Sequence, residues 1–104
     1  MATNIPPKNL DFVGFTLNTG AETPVIIPER VLRFIALQCT TAADVYLGRT
    51  PGQTFVAANR WTIKAGQPLI LEDWALSPVD AGGTFFYARG SANGLVLEVL
   101  YAAA

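Results

Sequence analysis

Residues 30–50 read RVLRFIALQCTTAADVYLGRT, two β-strand patterns separated by a small polar turn. In the first, Val31, Arg33, Ile35, Leu37 and Cys39 alternate with Leu32, Phe34, Ala36 and Gln38, since successive side chains of a strand point to opposite faces. Both sets are apolar for most of their length. Such a strand belongs inside a sandwich or at a subunit contact. Thr40-Thr41-Ala42-Ala43-Asp44 turns the chain, and Val45-Tyr46-Leu47 is expected to return as a hairpin partner.

On either side the same grammar continues. A first strand is expected over Leu10 to Asn18, carrying Phe12, Phe15 and Leu17 and stopped by Thr19-Gly20. Thr23 to Pro28 (TPVIIP) is β-branched and bracketed by prolines, which suits an edge strand or an extended crossing segment. Pro51-Gly52 fits the two middle positions of a type II turn. Phe55 to Asn59 fits a short strand or one helical turn equally well. Trp61-Thr62-Ile63-Lys64 alternates, Ala65-Gly66-Gln67 turns, and Pro68 to Asp73 is apolar again. Thr84 to Arg89 is a run of strong β formers. Ser91-Ala92-Asn93-Gly94 reads as an Asn-Gly hairpin turn into a last strand, Leu95 to Tyr101, apolar on both faces except at Glu98.

Seven or eight short strands with regular turn signals, and no window of helical period, predict an all-β fold. The expected architecture is a single antiparallel β-sandwich or jelly-roll-like small barrel, residues 10–104, with an extended N-terminal arm, residues 1–9. Pro6-Pro7 excludes a helix from that arm and favours a polyproline-like course. Two readings stand side by side: a frayed terminus, or an arm that lies along a neighbouring molecule, since a segment stiffened by proline loses less entropy on docking. Ile5, Pro6 and Pro7 are therefore interface candidates.

A chain of 104 residues, half of them apolar, buries about 65% of its unfolded surface and needs no disulfide or metal to fold. The single Cys39 provides no disulfide framework and no zinc-ligand cluster. Charged residues make up 14% of the chain, against about 25% in average soluble proteins. So weakly charged a surface is expected to be partly covered by other subunits, the alternative being simply a small, well-packed β protein. Without a basic cluster there is no footprint for nucleic acid. Without a run of about 20 apolar residues there is no membrane span, and the first residues lack the pattern of a signal peptide.

Catalytic chemistry finds little to work with. The absence of histidine removes the commonest general base and metal ligand. Glu72 and Asp73 are adjacent, so on a strand they face opposite ways. Cys39 has no histidine to activate it. Glu98 is expected either at an open edge or paired with Arg33 or Arg89 from another strand. Trp61 and Trp74 are placed to fill core or interface volume, or to stack on a sugar ring. No catalytic residue, cofactor site or metal site is assigned, and the chain is read as a non-enzyme.

The succession R-V-L-R-F-I-A-L-Q-C-T, A-D-V-Y-L-G, I-K-A-G-Q-P-L-I-L-E-D, G-G-T-F-F-Y-A-R-G and G-L-V-L-E-V-L, spanning Arg30 to Tyr101, resembles small virion proteins of tailed bacteriophages and prophages. The resemblance lies in strands and turns, not in a catalytic motif, and leaves the first 29 residues outside it. It implies a structural β-sandwich module of the capsid or tail, with decoration or cement proteins the nearest kind. The absence of a long appended segment favours a compact capsid-surface module over a fibre. The implied partners are a major capsid protein and further copies of the chain, a trimer being favoured, with the arm reaching an adjacent capsid subunit; the implied location is the capsid surface of the virion. A tail, neck or receptor-binding component and a carbohydrate-binding sandwich are the alternatives.

Overall fold

The computed structural model describes residues 10–103, with the side chains of Asp73 and Trp74 excepted. The arm candidates Ile5, Pro6 and Pro7 therefore lie outside the described residues. Among the described residues eight strands form: β1 (Asp11–Leu17), β2 (Thr23–Ile26), β3 (Leu32–Cys39), β4 (Val45–Gly48), β5 (Trp61–Ile63), β6 (Leu69–Leu76), β7 (Thr84–Gly90) and β8 (Leu95–Ala103). They make two four-stranded antiparallel sheets, in the orders β1-β8-β3-β6 and β2-β7-β4-β5. Of the chain's consecutive strands only β4 and β5 pair with each other. Every other connection crosses from one sheet to the other, which is the connectivity of an eight-stranded jelly roll. The all-β sandwich expected from the sequence is the fold observed.

Two hairpins expected from the sequence are not formed. β3 and β4 lie in different sheets, as do β7 and β8. The turn chemistry itself was legible: Gly94 takes φ 78°, and Pro51-Gly52 makes a type II turn, with Gly52 at φ 84° and the Gln53 amide donating to the Thr50 carbonyl at 3.1 Å. These corners change the chain's direction between layers as readily as within one. Phe55 to Asn59 forms neither a strand nor a full helical turn: Phe55 ends a single 3₁₀ turn, Gln53–Phe55, and the chain continues in turns to Asn59.

The core is the space between the sheets. Leu17, Ile35, Leu37, Leu97 and Val99 face inward from one sheet, and Val25, Val45, Leu47, Phe86 and Ala88 from the other. Each fully buried side chain of this size contributes about 1.5–3 kcal/mol relative to its exposed state. Two register shifts correct simple alternation. Between Leu32 and Phe34 the pairing of β3 slips, so Leu32 joins the core and Arg33 is exposed. This reverses the expectation that grouped Arg33 with Ile35 and Leu37. Between Val25 and Ile26 a second shift leaves Phe85 without a partner on β2, and both Phe85 and Phe86 are buried. β2 is an edge strand, as its flanking prolines predict.

Candidate interaction surfaces

The outer face of the first sheet is built in rows set by register. Phe12 pairs with Leu100, Leu100 with Ala36, and Ala36 with Ile70, so the four cross the sheet from edge to edge. Bulk stands at the two edges and small or half-buried residues lie between them. Phe12 is 71% exposed on β1 and Ile70 52% exposed on β6. The next row carries Gly14, Glu98 and Gln38. The result is a groove of about 600 Å³ running along the strands. Among its lining residues Glu98 is the only charge, and it accepts a hydrogen bond from Gln38 Nε2 at 2.9 Å. Both expectations for Glu98 are thereby corrected: it is neither at an open edge, since β8 lies between β1 and β3, nor paired with Arg33 or Arg89. β8 places Gln38 directly opposite Glu98, while Arg89 lies on β7 in the other sheet.

A second cavity, about 470 Å³, opens between the sheets where edge strands β5 and β6 meet the solvent. Its apolar wall includes Leu47, Leu69, Leu71 and Phe86, and Trp61 stands at its rim. Trp61 pairs with Leu47 and so sits on the inward side of β5, yet it is 64% exposed because no strand lies beyond that edge. Two arginines flank this opening and both are held. Arg49 donates to the Ser77 carbonyl at 2.7 Å, and its burial pulls the guanidinium pKa downward. Arg60 donates to the Thr54 carbonyl at 3.1 Å and stacks on the Tyr46 ring at 3.7 Å. Trp74 belongs to β6, but its side chain lies outside what the structure describes.

A polar knot ties the β1–β2 loop to the β4–β5 connection. Glu22 accepts from the Gly52 amide at 2.7 Å, the Thr54 amide at 3.0 Å and the Thr54 hydroxyl. Burial opposes its ionisation, but these hydrogen bonds and nearby Arg89 outweigh it and hold the carboxyl below its ordinary range. Arg89 lies over the rings of Tyr46 and Phe55 at 4.8 and 4.5 Å and donates to the Thr19 and Thr54 carbonyls. A carboxylate saturated by three donors and lowered in pKa is a poor proton acceptor, so this arrangement fastens loops together. Among the described residues no group of three or more His, Cys, Asp or Glu side chains is placed to hold a metal ion. Cys39 is a free thiol packed against the core.

No family model matches this sequence, and the comparisons with curated proteins and with solved structures returned no match. Of the five interface candidates read from the sequence, Trp61 has a described side chain, and it lies at the mouth between the sheets. The groove on the outer face was not singled out residue by residue. Its signal was present in β3 and β8, whose second faces carry Ala36, Val96 and Leu100 where water-facing strands carry polar groups.

Proposed function

We propose that this chain is a non-enzymatic structural protein of a bacteriophage particle, a decoration or cement protein that binds the outer capsid surface as an oligomer, a trimer being favoured. The observation that carries the reading is the outer face of the first sheet. It carries a mostly apolar groove in which Glu98 is the one charged lining residue, with Glu72 in the row beside Ile70, and such a groove is poor to leave in water and good to cover with protein. The low charge of the whole chain and the resemblance over Arg30–Tyr101 support the same reading. The partners are then further copies of the chain, which share this face, and the major capsid protein, and the work is to add buried contact area between capsid subunits, which requires no reaction. Purified chain added to capsids lacking it should saturate at a fixed ratio to the major capsid subunit and raise the temperature at which the shells rupture. Capsids that take up none of it would remove the proposal.

The exposure of Trp61 above an apolar cleft favours a second reading, a carbohydrate-binding sandwich. Titration with glycans should then quench tryptophan fluorescence in the native chain and not in Trp61→Phe.

A further inference from the structure

We propose that the groove on the outer face of the first sheet is occupied by the N-terminal segment of a second copy of this chain, with Ile5-Pro6-Pro7 on its apolar floor and the Lys8 ammonium against the Glu98 carboxylate. The groove has the shape for one extended chain. Four strands at about 4.8 Å spacing make a surface about 14 Å across, walled by Phe12 on one edge strand and Ile70 on the other, with Ala36 low between them and the β1 wall open at Gly14. Proline-rich segments dock in grooves of this kind, apolar and aromatic-walled, because their extended conformation is already set. Charge agrees with shape. Lys8 follows Pro7 directly, and Glu98 is the one charge among the groove's lining residues.

The strand direction argues that the segment comes from a neighbour. β1 runs from Phe12, at the first row, toward Gly14, which shares its row with Glu98. A segment continuing β1 backward from Asp11 moves away from Glu98. Reaching Glu98 within one molecule requires a full reversal of the chain inside the three residues Lys8-Asn9-Leu10. Between molecules no reversal is needed. Three residue steps lead from Lys8 to Asp11, a reach of about 10 Å, so the start of β1 in one copy must lie close to the groove of the next. That closeness gives the highly exposed Phe12 a neighbour.

Lys8 and Lys64 are the chain's only lysines, so a zero-length carbodiimide cross-link reads the proposal on the unmodified protein. Equal amounts of ¹⁴N- and ¹⁵N-labelled full-length chain are mixed before refolding, cross-linked and digested. The expected product is a Lys8–Glu98 amide in which half of the linked peptides carry mixed isotopes. In Phe12→Ser, folded with an unchanged melting temperature, its yield should fall several-fold. A Lys8–Glu98 link found only with matched isotopes overturns the proposal, as does no such link while Lys64 forms links in the same sample, or an undiminished yield in Phe12→Ser. The purified chain suffices, so the outcome is independent of whether the protein belongs to a particle.

Discussion

Glu22 is the carboxylate whose ionisation the fold uses most directly. Its pKa is lowered in the folded protein, so the stabilisation is present above the unfolded value, 4.5, and is lost as the pH falls through the folded value. The melting temperature should therefore decline as the pH drops below about 4.5. In Glu22→Gln the melting temperature should be lower at neutral pH and the decline on acidification shallower, as followed by scanning calorimetry across pH 3–7. Asp80 adds to the same trend. Its carboxylate accepts from the amides of Thr84 and Gly82 and holds the turn before β7, with its pKa lowered for that reason. Arg89 makes a different demand. Its planar fork reaches two carbonyls from between two rings, a geometry that a lysine ammonium cannot copy. Arg89→Lys should cost about 2 kcal/mol in denaturant unfolding through carbonyls left unpaired. None of this was legible in the sequence. Glu22, Thr54 and Arg89 come from three separate connections or strands, and only the folded register shows that Gln38, not an arginine, faces Glu98.

At the scale of the strand, β8 separates the two kinds of apolar position. Leu95, Leu97, Val99 and Tyr101 point into the core, and Val96, Glu98 and Leu100 line or border the outer groove. Leu97→Ala should cost about 3 kcal/mol by chemical denaturation, since it removes buried methyls and leaves a cavity. Val96→Ala, one residue away, should cost less than about 1 kcal/mol and act on association. Strand positions were readable because β-branched and aromatic runs, prolines and Asn-Gly or Pro-Gly turns are local signals. Pairing was not, because a tight turn is compatible with a partner in the same sheet or a corner into the opposite one. What decides between them is burial of both inner faces at once, a property of all eight strands. The slip at Arg33 was hidden for the same reason: a bulge is visible only against the partner strand.

At the scale of the molecule, the sandwich is complete on its inside and incomplete on one outside. The inner faces of the two sheets bury one another, while the face carrying Phe12, Ile70 and Val96 has no layer of its own chain among the described residues to cover it. Deleting residues 2–8 should leave the melting temperature unchanged and shift full-length oligomers toward monomer in sedimentation velocity. An intact oligomer after that deletion would put the contact elsewhere on the surface. The apolar second faces of β3 and β8 made such a surface legible as a tendency of the sequence, and the rows of the sheet made it a place. The measurement that bears most directly on the proposed role is quantitative mass spectrometry of purified particles, counting this chain against the major capsid subunit. A fixed, small-integer ratio between the two is expected, as a component repeated over the whole shell requires. Absence of the chain from purified particles would contradict it.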